Sequence, residues 1–352
     1  MKISARVCLY CVLFLVGSMC RSQQISPQPV DRHQHHAGPM CVEDEFTKTE
    51  ASIEKKALTL LASQKYSELD ALAANFRKSQ ACFENGYWQL ALLYKSITDL
   101  DTKAPEQDWE ARLKLIRRWF EQDTDCITPR VAMARALVGY AWHARGNDWA
   151  SKVSKDAWPL VYERIAEATR ILEAARNLSE TCPVWYSTWM KVAMLSGPDR
   201  ERYDAVFEEA LAAFPAYTAF YFSKVWYLQE RWYGERGDWE AFAAVAADKI
   251  GGEKGDLLYA QIVWYVHEQR VYGNPIREAA IEWPRVQRGF EAIRRQYPDS
   301  ILALSEYCSI SGFAGERQLM QSLFNEIGNR VDLAVWRTTE LFEQDYRWAF
   351  SN

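Results

Sequence analysis

Histidine is scarce in this chain, with five in 352 residues. His33, His35 and His36 crowd one polar stretch near the start, which leaves only His143 and His267 for the rest. That is thin material for histidine-based acid–base catalysis or a zinc centre. No His-Glu-x-x-His helix, Gly-x-Ser-x-Gly turn or Gly-Lys-Ser/Thr phosphate loop occurs. The Gly-rich stretch "IGGEKGD", residues 250–256, follows a helical pattern and reads as an inter-helix turn. Convincing strand alternation is also missing, as is a tight hairpin signal between β-rich runs. Clustered Lys and Arg are absent, and the net charge is -5, so nucleic acid is not an expected partner. No catalytic residue, metal ligand or cofactor is assigned.

Long apolar runs are missing too, except at the start. Lys2 and Arg6 precede the apolar run at residues 7–17, and small residues follow at Ser18, Cys20 and Ser22. This is the layout of a secretory signal peptide over residues 1–22, and the run is too short for an ordinary membrane span. The expected location is therefore periplasmic or extracellular, with no transmembrane span in the mature chain. Met19 stands where a lipoprotein signal carries Gly, Ala or Ser, which argues against lipidation at Cys20. Residues 23–41, with three Pro and three His, read as a flexible polar linker rather than a metal-collecting arm.

Export permits disulfides. Five of the eight cysteines lie beyond the signal peptide: Cys41, Cys82, Cys126, Cys182 and Cys308. If each pair brackets a helical hairpin, Cys41–Cys82 and Cys126–Cys182 fall on common edges and are the expected bridges. Cys308, inside an apolar run, reads as a buried small hydrophobe.

What is present is helix. Ile53, Ala57, Leu60 and Leu61 share a face, and so do Leu69, Leu72, Ala73 and Phe76. Trp109, Leu113, Ile116 and Phe120 repeat the pattern, as do Ala168, Ile171, Leu172 and Ala175. Pro129, Pro183, Pro215 and Pro298 each read as opening a helix. Upstream of three of them a spacing recurs: Phe207, Ala210, Pro215; Phe290, Ile293, Pro298; and, more weakly, Ala175, Leu178, Pro183. This resembles the ending of a tetratricopeptide repeat. The blocks "GYAWHARGNDWASKV", "RGDWEAFA" and "IEWPRVQRGFEAIRRQYP" extend the likeness, over roughly residues 85–330, to a bacterial tetratricopeptide-like family of unknown function. The resemblance implies an all-α, right-handed stack of helical hairpins (an α-solenoid) over residues 42–352, with about fourteen helices. It implies no activity.

Two short stretches invite a functional reading, "RGNDW" at 145–149 and "RGDW" at 236–239. Gly146 and Gly237 suit helix stops, and Asp238 suits a helix N-cap, as does Asn147 or Asp148. The first stretch is surrounded by Tyr140, Trp142, Arg145 and Trp149, the second by Trp226, Trp232, Tyr233, Arg236 and Trp239. Repeat stacks bind partners on concave faces where aromatics and Arg are preferred anchors. Equally, these rings can pack between repeats while the arginines pair with acids. Both readings stay open at this point. The leading expectation is an exported, non-enzymatic binding or adaptor protein holding a protein or peptide, or else a glycan, on such a face. The alternative is a carbohydrate-active α/α toroid, which would need two carboxylates facing across a cleft.

Overall fold

A computed structural model describes residues 40–41 and 45–351, apart from 84–85, 124, 147–148, 179, 198 and 270–273. The expected signal peptide, the linker up to residue 39, and the caps at Asn147 and Asp148 lie outside the described residues. Among the described residues there are seventeen α-helices, one 3-10 turn and a pair of two-residue strands, so the chain is all-α. No described helix is long and apolar enough to cross a membrane.

The described residues divide into two compact units, one over 49–242 and the other over 243–351 together with 40–41 and 45–48. The first unit holds most of α1 (Glu45–Ala62), then α2 (Tyr66–Ser79), α3 (Gln89–Thr98), α4 (Glu106–Gln122) and α5 (Ile127–Arg145). After these come α6 (Ala157–Ala175), α7 (Pro183–Leu195), α8 (Arg200–Ala213), α9 (Ala219–Tyr227) and the start of α10 (Asp238–Ile250).

The odd and even helices differ in kind. In α4 the buried residues are Trp109, Leu113, Ile116 and Trp119, a single stripe at helical spacing. α8 buries only Tyr203, Val206, Phe207 and Ala210. In contrast, α5 has no exposed residue between Ile127 and Arg145, and α7 buries all of its residues but Lys191. The contacts explain this. Successive helices from α4 to α9 pack on one another, and α3, α5, α7 and α9 also touch their next-but-one neighbours. α3, α5, α7 and α9 therefore form an inner layer, and α4, α6 and α8 cover it. Helix ends tie the layers together: Arg112 of α4 donates to the carbonyls of Ser96 and Ile97 at the end of α3. A buried Arg135–Asp99 pair at 2.9 Å, with Thr98 accepting from Arg135, links α5 to α3.

The second unit contains the rest of α10, α11 (Gly252–Glu268), α12 (Pro275–Glu278), α13 (Trp283–Gln296) and α14 (Ile301–Ala314). It ends with α15 (Arg317–Ile327), α16 (Leu333–Trp336) and α17 (Thr339–Phe350). α14 is buried almost all round, whereas α13 and α15 bury one stripe each. At the α11–α13 crossing, a side chain on Gly289 would run into the Asp256 carbonyl and the Ala260 methyl. Glycine lets the two backbones approach there. β1 (Met40–Cys41) pairs in parallel with β2 (Arg330–Val331), so the last two residues of the expected linker are a strand of this unit.

Several expectations need correction. Pro129 and Pro183 do lie in first turns, of α5 and α7. Pro215 and Pro298 instead sit in the turns after α8 and α13, ahead of the next helix. Gly252 and Gly255 belong to α11, and the turn before it is Gly251 alone, at φ +74°. The expected disulfides are not formed: Cys82, Cys126 and Cys182 are free thiols, as is Cys308. Cys126 and Cys182 do occupy matching places, as N-caps of the neighbouring helices α5 and α7. Each thiol has other company: Cys126 faces Asp70 at 3.4 Å, and Cys182 faces the Tyr94 hydroxyl at 3.6 Å. Cys82 lies exposed in the first unit, while Cys41 belongs to β1 of the second. Cys308 is fully buried, as expected.

Candidate functional site

α5 carries two different surfaces near its C-terminus. Trp142 and Arg145, three apart, share one. Tyr140 and His143 share another.

On the first surface the Arg145 guanidinium lies 5.1 Å from the Trp142 ring centre and 4.9 Å from that of Trp232, with Trp158 at 5.9 Å. Trp142 and Trp232 meet edge to face at 5.4 Å. Arg231 continues the row, 5.2 Å from Trp226, 5.8 Å from Trp232 and 5.9 Å from Trp149. Alternating guanidinium and indole planes attract through the ring quadrupole. Arg145 is buried, whereas Trp149 at the end of the row is 55% exposed.

The turn after α9 supplies half of this row. The Trp232 amide donates to Gln229 and that of Tyr233 to Tyr227, and the Tyr233 hydroxyl donates to the Met194 carbonyl. A side chain at Gly234 would overlap the Leu228 carbonyl, so the turn requires glycine. Within it the polar atoms are unusually idle. The indole nitrogens of Trp142, Trp226 and Trp232, and the side-chain amide of the fully buried Gln229, find no hydrogen-bond partner among the described residues.

α6 adds the outer edge. Trp158 stacks on Tyr162 at 5.8 Å, and Tyr162 is 57% exposed. Leu160 nearby is exposed as well. Trp149, Trp158 and Tyr162 thus lie beside a packed cluster of the buried Arg145 and Trp142 and the half-buried Trp232.

The second surface of α5 is a fastening. Tyr140 stacks on Trp109 at 5.9 Å, and the Arg164 guanidinium lies 3.1 Å from the centre of the Tyr140 ring. The Tyr140 hydroxyl donates to Glu106 Oε1, which also accepts from Arg164 Nη2 at 3.0 Å. His143 Nε2 meets Glu106 Oε2 at 2.7 Å, and its Nδ1 meets the Thr102 carbonyl at 2.8 Å. Partial burial opposes the Glu106 charge, but hydrogen bonds from Tyr140 and His143 and the Arg164 charge outweigh it and hold the carboxyl below its usual range. Burial first, then the bond to Glu106, pushes the Tyr140 hydroxyl up to about 12. These contacts lock α4, α5 and α6 together.

The structure therefore brings together Trp142, Arg145, Trp149 and Trp232 of the sequence-derived candidates. It places Tyr140 in the fastening. It buries Trp239 in the core at 1% exposure, and leaves Arg236 exposed. Gly146 does end α5, with φ +69°. α9, however, stops at Tyr227, so Gly237 ends no helix, and Asp238 is the first residue of α10 rather than its cap. Trp158, Tyr162 and Arg231 were missed. A signal existed for the first two: Val161, Ile165 and Ala168 mark the buried stripe of α6, and Trp158 and Tyr162 are aromatics four apart beside it.

Two other groups bear on chemistry. Asp70, Asp123 and Cys126 bring ligand atoms within 4.8 Å of one another. Trp119 already donates to Asp70, and burial foremost pushes the Cys126 thiol up to about 11, away from the thiolate a metal takes. In the second unit Glu306 is buried on α14, and burial, then the charges of Glu268 and Asp332, hold its carboxyl well above the usual range. Comparison with family models, with curated proteins and with solved structures gives no match.

Proposed function

We propose that the chain is an exported, non-enzymatic helical-repeat binding or adaptor protein. Its working face is the aromatic–arginine row of the first unit, and its ligand is a segment of a partner protein. The observation that carries this reading is the exposed pair Trp149 and Tyr162, with the half-buried Trp158 stacked on Tyr162, beside the packed cluster of Arg145, Trp142 and Trp232. Exposed aromatics beside arginine are the side chains that anchor interfaces, and a cluster that is already packed lowers the entropy lost on binding. The tetratricopeptide-like repeat reading agrees with the inner row α3, α5, α7 and α9, in which each helix touches the next but one. A right-handed solenoid is the proposed arrangement.

The test uses a photocrosslinking amino acid in place of Tyr162 and, as control, of the exposed Glu121 on α4. The expected result is one discrete adduct from Tyr162 in the exported fraction, none from Glu121, and loss of that adduct in Trp158→Ala. Equal labelling from both positions, or none from Tyr162, overturns the proposal.

A further inference from the structure

The second unit contains a cavity of about 290 Å³ that the binding face does not involve. Two helices form its long walls. α14 offers Ser309 and Phe313, four apart, and α17 offers a stripe at helical spacing that includes Gln344, Asp345 and Trp348. Trp336 of α16 and Arg277 of α12 complete the lining.

The aromatic part of the wall is held from outside. Asp345 Oδ2 accepts from the Trp336 indole at 2.9 Å, and Trp336 stacks on Phe324 at 5.9 Å. Asp345 is thus a strut of the wall and already engaged. The Arg317 guanidinium lies 5.0 Å from the Trp348 ring centre. The rest of the polar lining is open. The Arg277 guanidinium, the Gln344 amide and the Ser309 hydroxyl make no hydrogen bond to any described residue. Arg277 and Gln344 are exposed, whereas Ser309 is buried at 3% exposure. A buried hydroxyl without a partner is costly, so the cavity offers polar groups to be met from its floor to its rim, between aromatic rings.

We infer that this cavity binds a single neutral hexopyranose sugar, with its C–H faces on the aromatic rings and its hydroxyls on Arg277, Gln344 and Ser309. A guanidinium only donates, while a hydroxyl and an amide both donate and accept. A sugar hydroxyl does both, so one kind of ligand group answers all three. The negative face of an indole or phenyl ring suits the weakly positive C–H face of a pyranose. Arg277 and Asp345 leave the lining without net charge, which favours an uncharged ligand, and hydroxyls are cheaper to take out of water than ionised groups. The volume is at the small end of the range of roughly 300–1,000 Å³ for ligand pockets, which suits one ring rather than a chain.

Saturation-transfer NMR of the full chain with D-glucose, D-galactose, D-mannose and N-acetyl-D-glucosamine tests this. We expect at least one to bind, with transfer strongest at its ring C–H protons. Trp348→Ala is expected to weaken that sugar about tenfold and Arg277→Gln about fivefold, the scale of one lost ring face and one lost hydrogen bond. D-glucuronate, which adds a carboxylate, is expected to bind more weakly than the best neutral sugar. Absence of binding by all four neutral sugars overturns the inference, as does tighter binding of D-glucuronate, or binding unchanged in either variant. If Trp348→Ala does not fold, the exposed Arg277→Gln decides alone. The site lies within the second unit, so its failure leaves the Tyr162 crosslinking result untouched.

Discussion

The junctions at residues 145–149 and 236–239 are near copies in sequence and opposites in structure. In the first, the arginine is buried and the tryptophan exposed: Arg145 at 7% and Trp149 at 55%. In the second, Arg236 is exposed and Trp239 is buried at 1%. The cause is where each stretch falls on its helix. Gly146 ends α5, so Arg145 is the last residue on an inner helix and Trp149 lies beyond it. Gly237 precedes α10, so Trp239 is already in a first turn and faces inward. A shared motif thus fixes the spelling of a junction, while its register against the helix ends decides which side chain becomes the wedge and which meets solvent.

Swapping the roles in turn should break the symmetry most at the tryptophans. Trp239→Ala should cost about 3–5 kcal/mol of unfolding free energy, as removal of a fully buried large ring does, and Trp149→Ala less than about 0.5 kcal/mol. Urea melts read both, and equal losses would contradict the assigned burial. The arginines should differ less, in the same sense by position. Arg145→Ala loses two close indole faces and its packed stem, about 2–3 kcal/mol, and Arg236→Ala stays within about 0.5 kcal/mol. Arg145→Lys should recover only part, because a point charge cannot stack as a plane does.

The smallest effect concerns the fastening beside the first junction. Glu106 has a depressed carboxyl in the folded state, so its contribution is present above the ordinary glutamate range, near pH ~4.3, and is lost as pH falls through the folded value. Its side chain is 51% exposed, so solvent screening keeps the amount modest. Melting curves at stepped pH should show Glu106→Gln closing on the parent protein as acid is added. A gap that widened toward low pH would show that Glu106 is not stabilised as its carboxylate.

Much of the helical reading was available from spacing alone. Ile53, Ala57, Leu60 and Leu61 are buried as a stripe, and so are Trp109, Leu113 and Ile116. Such stripes are legible because an outer helix has one apolar face. Inner helices are harder to read. α5 and α14 are buried nearly all round and show no single apolar stripe, so periodicity cannot say what they touch. The cysteines were legible as places and not by their neighbours. Sequence placed Cys126 and Cys182 at equivalent helix starts, which is where they are, but the groups they face, Asp70 and the Tyr94 hydroxyl, are brought in by other helices. At the candidate site, Arg145 and Trp142 were legible from proximity in sequence. Arg231 was not, because the fold brings it in from an ordinary-looking turn, whereas Trp158 left a signal only through its spacing from Tyr162 beside the α6 stripe.

The two-residue strand pair has a consequence for how the second unit assembles. It joins Met40–Cys41 to Arg330–Val331, positions nearly the whole described chain apart. Most other packing joins helices adjacent in sequence or one removed. Closing so long a loop costs entropy that grows only slowly with its length, but it must be met before the pairing returns anything. Two residues of ladder make a poor nucleus. The strand pair is therefore a late latch: it shuts on helices that have already formed, and its removal should speed unfolding far more than it slows folding.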